Sequence, residues 1–327
     1  MNFYIKMILK KKSVLVNNRH FVTIFLSLHN SIKKKNLDII QMMLYIKLMT
    51  MKKSFILFVL LLIQVGFAQK RETVRGSKIV TTEQKKIGEF ENLEFEDNFE
   101  VFLIKGEICN LEIEADDNLH ETINIALNGN TLRLTTNKNV SGAKKLILRV
   151  TYNDKLKMVT CKHETTVSAL TELALENVVF KSFDYSKLFL NAKVKNFSLY
   201  TNDKSKVELN LKSDDATIEM SKNSHLKSLI SSLKFKLDLY QKADAQIEGD
   251  IIDMKLRLDN NVDFDGKNLI VKNMELVAES YTKCSVNTST SISIEASGNT
   301  EIQLYGDQKI DMKKFADNAV LIKKPTK

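Results

Sequence analysis

The reading of the fold turns on residues 197–239, FSLYTNDKSKVELNLKSDDATIEMSKNSHLKSLISSLKFKLDL. Short bursts of alternating apolar and polar residues are separated by polar turn formers. Alternation with period two puts successive side chains on opposite faces of an extended chain, which marks β-strands. The bursts also recur: Phe197 and Leu199 return 19 residues later as Ala216 and Ile218, and 19 further on as Phe235 and Leu237.

Extended in both directions, the Leu199 column reads Phe180, Leu199, Ile218, Leu237, Leu256, Leu276, Ile294 and Met312, with spacings of 19, 19, 19, 19, 20, 18 and 18. Two residues before these stand Val178, Phe197, Ala216, Phe235, Met254, Met274, Ile292 and Ile310. Eight after come Leu188, Val207, Leu226, Ala245, Phe264, Cys284, Ile302 and Val320, and ten after come Leu190, Leu209, Ser228, Ile247, Gly266, Val286, Leu304 and Ile322. Thirty of these 32 positions are apolar against 43% in the whole chain, so the columns are a designed core and not a chance pattern. Ser228 and Gly266 are the exceptions, with Leu229 and Phe264 close enough in sequence to stand in for them.

A unit of about 19 residues is too short for a helical pair or a propeller blade, and it lacks the leucine-rich pattern. Each unit supplies two short strands whose apolar faces are covered only by stacking on the units above and below. The expected fold is therefore all-β, a right-handed parallel β-helix or solenoid. Eight rungs at about 4.8 Å make a rod roughly 40 Å long. The single proline, Pro325, lies past the last rung, as unbroken ladders require.

Residues 69–155 alternate less regularly, in NLEFEDNFEVFLIKG, NLEIEAD, TLRLTT and KLILRVTY. This stretch is expected to form a β-rich cap on the N-terminal end of the rod, which would otherwise expose an edge. Within it, DDNLHETINIAL fits either a short helix capped by Asp116 or Asp117 or a continuous strand. NGN at 128–130 is a hairpin signal.

The start of the chain carries MKKSFILFVLLLIQVGFAQ at 51–69, where two lysines precede an apolar run and Gly66 and Ala68 follow it. That is the pattern of a secretory signal peptide cut before Gln69, and the run falls short of the ~20 residues a membrane span needs. Residues 1–50 are then expected to be an extension without a structural role, with translation starting at Met51; a peptide from 1–50 in the exported protein would sink that reading. The expected organisation is 1–50 extension, 51–68 signal peptide, 69–155 N-terminal β-rich part and 156–327 β-helical repeats. The exported chain would reside in the periplasm, the outer envelope or outside the cell.

The formal charge of +9 belongs to the leader. Residues 1–68 hold 11 of the 49 Lys and Arg and one of the 40 Asp and Glu, which leaves 38 cations and 39 anions from residue 69 onward. No basic excess remains to neutralise phosphates, so nucleic acid is not an expected partner. Cys109, Cys161 and Cys284 form no CxxC pair and no zinc set, and read either as three buried thiols or as one disulfide with a spare thiol. Cys284 falls in an inward column and is expected to be inert. Neither a metal nor a cofactor is expected: His120, His163 and His225 lie in separate segments and read as solvated turn residues, and Asp259, Asp263 and Asp265 as surface turn acids.

One constellation bears on catalysis. The outward column one position past the anchor reads Lys181, Tyr200, Glu219, Asp238, Arg257, Val277, Glu295 and Lys313. Glu219 and Asp238 would sit one rung apart, near the separation of the two carboxylates in a retaining glycosidase, with Arg257 next. The same residues also fit an ordinary ladder of mixed charge in which Arg257 relieves carboxylate repulsion. A carbohydrate-active enzyme, a hydrolase or lyase on a β-helix, is the alternative to a non-catalytic surface protein.

The string FENLEFEDNFEVFLIKGEICNLEIEADDNLHETINIALNGNTLRL at 90–134 resembles the opening of the family called putative auto-transporter adhesin, head GIN domain. EVFLIKG, LEIEADDNL and NGNTLRL carry the likeness, and the repeats continue it through ASGNTEIQLYGD at 296–307. The resemblance implies an envelope or surface protein of Gram-negative bacteria with a β-helical domain, adhesin-like or scaffolding, that binds glycan or protein. It brings no catalytic residues with it. The family's repeat turns often contain Ser-Gly, and here only Ser297 and Gly298 keep that pair, which predicts other turn shapes elsewhere.

Overall fold

The computed structural model describes residues 71–325, apart from the side chain of Leu170, together with residues 31, 33, 42, 43 and 45–52. Beyond Met51 and Lys52, which lie in a helical stretch, the expected signal peptide falls outside the described residues. No helix among the described residues is long and apolar enough to cross a membrane.

Residues 71–325 form a β-solenoid of about nine turns, with rungs about 19 residues apart. The strands are β1 (Thr73–Arg75), β2 (Val80–Lys86), β3 (Asn92–Phe95), β4 (Glu100–Lys105), β5 (Asn110–Asp116), β6 (Ile123–Asn128), β7 (Thr131–Thr136), β8 (Asn139–Ser141), β9 (Leu146–Tyr152) and β10 (Met158–Cys161). The repeats follow as β11 (Thr166–Ser182), β12 (Lys187–Thr201), β13 (Lys206–Met220), β14 (His225–Tyr240), β15 (Asp244–Asp259), β16 (Val262–Ala278), β17 (Tyr281–Ala296), β18 (Asn299–Tyr305), β19 (Lys309–Phe315) and β20 (Val320–Lys323). All but β1 and β8, which pair with each other, belong to one 18-stranded sheet.

From β10 onward each strand pairs in parallel with the corresponding strand of the next rung, and the anchor column stacks in register from Phe180 to Met312. Its members through Ile294 are buried. Each complete rung, however, is one strand of 15 to 17 residues and not two short ones. Alternation breaks at a corner, where two consecutive residues such as Lys195 and Asn196 both face solvent and the first of them drops out of the ladder pairing. The core is correspondingly wider than four columns. Ala192, Leu211 and Ile230 form a further inward column, and Thr201, Met220, Leu239 and Leu258 another.

Between rungs, Asp184–Tyr185, Asp203–Lys204, Lys222–Asn223, Gln241–Lys242 and Asn260–Asn261 all hold positive φ. Two left-handed residues in succession reverse the chain within a short polar turn. The turns are stacked by their own hydrogen bonds, Tyr185 N–H to the Asp203 carbonyl and Lys204 N–H to the Lys222 carbonyl, which help hold that unfavourable conformation.

The N-terminal part joins the same stack, out of sequence order. In one column Leu132 of β7 lies against Leu93 of β3, Leu93 against Val159 of β10, and Val159 against Phe180 of β11. In another, Leu148 of β9 meets Val101 of β4, which meets Val167 of β11. The antiparallel strands β2, β5 and β6 flank this end, with β6 and β7 joined at Gly129 as the NGN signal predicts. Asp117–Thr122 is a short 3-10 helix, but Asp116 is not its side-chain cap. The Asp116 carboxylate is buried and instead accepts the backbone N–H groups of Lys78, Lys144 and Lys145.

The last rung departs from the expected columns. Leu321 pairs with Ile302 and Lys323 with Leu304, so Val320 and Ile322 are one residue out of the predicted register. A bulge after Met312 likewise sets Lys314, not Lys313, beside Glu295. These terminal strands are paired on one side only, where register is least constrained, and a bulge with lysines discourages a further strand from adding to an edge. Ser228 keeps its inward place between Leu209 and Ile247, and Leu229 points to solvent.

Candidate functional site

The strand segments that follow the corner form one outer face of the rod. On it runs a groove of about 920 Å³ spanning β13 to β19. Two ladders of outward side chains line it. The first reads Asp215, Lys234, Asp253, Asn273, Ser291 and Lys309, and the second Thr217, Lys236, Lys255, Glu275, Ser293 and Asp311. Parallel pairing sets each member directly beside its counterpart on the next rung, about 4.8 Å away.

The ladders are held by their own polar contacts. Lys255 Nζ lies 3.1 Å from Glu275, Asn273 donates to Asp253 at 2.9 Å, and Ser291 donates to Asn273 at 2.9 Å. The groove therefore presents alternating cations, anions, amides and hydroxyls at fixed spacing, with little net charge.

Glu219, Asp238 and Arg257 stand in the next outward column, beside the groove, and the strand register makes them consecutive. They do not act on one another. Asp238 is only 7% exposed and is 2.8 Å from Lys236, while Arg257 reaches up to Glu279, just past the end of β16 on the next rung, at 3.0 Å. The hydrogen bond that Lys236 donates to Asp238 raises the pKa of the Lys236 ammonium. Desolvation, followed by the charge of Asp238, pushes the neighbouring Tyr240 phenol up. A retaining glycosidase needs one of its carboxyls protonated as an acid and both open to a sugar. Asp238, covered and ion-paired, suits neither role.

The other residues singled out by sequence are scattered. His120 is not a solvated turn residue: its side chain is 6% exposed and its Nε2 is 2.9 Å from the Thr81 hydroxyl. His163 takes a turn position with φ 56°, and His225 pairs with Asp244 across one rung. Asp259 accepts from Ser280 at 2.6 Å, on the opposite side of a turn from Asp263 and Asp265. Burial, and then the charge of Asp244, raises the Asp263 carboxyl. No group of three or more metal-ligating side chains occurs among the described residues. All three cysteines are free and buried; desolvation pushes the Cys161 thiol up to about 11 and the Cys284 thiol to about 12.

Sequence reasoning singled out the column of Glu219, Asp238 and Arg257 and missed the ladder beginning at Asp215. Its signal was the break in alternation at Asp214–Asp215, Leu233–Lys234 and Ile252–Asp253, where two solvent-facing residues in succession mark the corner.

The sequence profile of the family described as putative auto-transporter adhesin, head GIN domain, matches residues 89–307. The chain belongs to that family. Solved structures similar to this head GIN chain include a putative adhesin from Parabacteroides merdae, at 17% identity and a TM-score of 0.52, covering 78% of this chain and 98% of that one. A putative lipid binding protein from Parabacteroides distasonis aligns at 14% identity and a TM-score of 0.53, covering 77% and 99%. At such identities the likeness concerns the fold. Among curated protein sequences, none matches this chain.

Proposed function

We propose that this head GIN protein is an exported, non-catalytic protein of the cell surface or envelope, adhesin-like, that holds a glycan or protein partner along the groove from β13 to β19. The observation that carries this reading is the groove itself: two registered polar ladders on a rigid sheet, offering donors and acceptors of both signs at one spacing to an extended ligand. Membership of a family described as adhesins, and the likeness in fold to a putative adhesin, support it. The near-neutral charge from residue 69 onward favours neutral glycans or mixed-charge protein surfaces over polyanions.

The test is binding of the exported protein to glycan arrays and to host-surface proteins, compared with a Lys255→Ala, Asn273→Ala double variant. Binding that weakens in the variant without turnover of the ligand supports the proposal; binding that the variant leaves untouched places the ligand elsewhere on the rod. The enzymatic alternative draws on the adjacency of Glu219 and Asp238. It requires glycan cleavage that is lost in Glu219→Gln and in Asp238→Asn.

A further inference from the structure

The corner of the rod carries an order of residues that the groove does not explain. On four successive rungs Asp214, Leu233, Ile252 and Lys272 occupy the same corner position, outside the ladder pairing but flanked on both sides by pairs in register, such as Ser213 with Ser232 and Asp215 with Lys234. From bottom to top it reads anion, apolar, apolar, cation. Leu233 and Ile252 are 50% and 43% exposed, in the midst of a polar surface. Beside them a shallow cavity of about 460 Å³, lined in part by Ser231, Asp250 and Ile270, opens on the same four rungs and the next.

Such a column is its own complement. A two-fold axis across the rod between the rungs of β14 and β15 sets a second copy antiparallel to the first. Asp214 of one copy then faces Lys272 of the other, twice over, and Leu233 of each faces Ile252 of the other. The adjoining column, Asp215, Lys234, Asp253 and Asn273, obeys the same operation, with Lys234 facing Asp253. An isologous interface requires this self-complementarity, which a random surface column lacks.

The ion pairs within the chain point the same way. Lys236, Lys255 and Arg257, on the neighbouring outward columns, each have a carboxylate partner. Among the described residues, Asp214, Lys234 and Lys272 have none.

We infer that the corner formed by β13 to β16 is a docking surface for a second copy of this chain, laid antiparallel and side by side. Four rungs span only about 15–20 Å, so the contact belongs with small, transient interfaces. The dimer is accordingly weak and sensitive to salt, and it covers the part of the groove's first ladder that runs from Asp215 to Asn273. Asp214 and Lys272, the positions that test it, do not line the groove.

The experiment is sedimentation equilibrium on the full chain at low ionic strength over a wide concentration range, with Asp214→Lys, Lys272→Asp and the double charge swap. Both sites are exposed, so the substitutions leave the fold intact, as circular dichroism would verify. The expected result is a concentration-dependent dimer, weakened about tenfold or more by each single reversal and restored by the swap, because each reversal turns two attractive pairs into two repulsive ones. A chain that stays monomeric throughout, a dimer indifferent to the single reversals, or a swap that fails to restore association would each overturn the inference.

Discussion

Asp116 is a buried carboxylate that acts as a clasp on the N-terminal part of the rod. Its two oxygens accept the N–H groups of Lys78 at 2.9 Å, Lys144 at 3.0 Å and Lys145 at 3.1 Å, which ties the chain ahead of β2 to the loop ahead of β9. Around it, Asn118 takes the Ser77 N–H and donates to the Arg75 carbonyl. Asp116→Ala removes the acceptor and strands three backbone donors around a buried position. Net values of about 1.5–3 kcal/mol per charged hydrogen bond do not add on one carboxylate, and the expected loss is about 3–5 kcal/mol, as for removing one partner of a buried polar pair. Asp116→Asn should cost nearly as much, because its amide turns one acceptor into a donor facing other donors.

The assay is urea unfolding combined with limited proteolysis within residues 71–79, since loss of the clasp frees that segment first. The hydrogen bonds from the three backbone amides outweigh desolvation and hold the Asp116 carboxyl below its ordinary 3.8. The folded state therefore binds that proton more weakly than the unfolded state does. The stabilisation is present above about pH 4 and is lost as pH falls through the lower, folded value. The wild type should lose stability over that acid range more steeply than Asp116→Asn. If both substitutions cost less than about 1 kcal/mol and protease resistance at 71–79 is unchanged, the clasp is not what holds this end.

Three further outcomes follow from the rungs. Gly249 has φ 121°, and a Cβ there would lie 2.1 Å from the Ile230 carbonyl oxygen, so Gly249→Ala should lower the urea midpoint sharply or abolish soluble expression. Ser228 is buried between Leu209 and Ile247 with no hydrogen-bond partner, so Ser228→Ala should stabilise by about 1 kcal/mol, read as a higher melting temperature. Cys161 and Cys284 are fully covered thiols with raised pKa values, and neither should react with a thiol reagent at pH 8 until denaturant is added. Rapid labelling of either in the native protein would refute its placement.

The anchor column from Phe180 to Ile294 was legible because two local signals coincide there, period-two alternation within a strand and a 19-residue return between strands. The same signals failed at Val320. An edge strand has one neighbour instead of two, and nothing local distinguishes its register from the next. The place of Asp116 was visible as a polar residue at a helix start, but its role depends on Lys78, Lys144 and Lys145, which lie 38, 28 and 29 residues away. The rung adjacency of Glu219 and Asp238 was readable by counting. Counting could not show that Lys236, two residues from Asp238 on the same strand face, takes its carboxylate.

Sequence alone thus determined the strand period, the rung length, the inward columns and the family, all of which rest on short-range repetition of residue type. Tertiary structure decided the order in which β7, β3 and β10 stack, the corner that joins two strand segments into one, and the groove. Those features depend on which distant strands find each other. That choice is made by burial of a common core and by pairing of backbone groups, and neither leaves a mark on any single stretch of sequence.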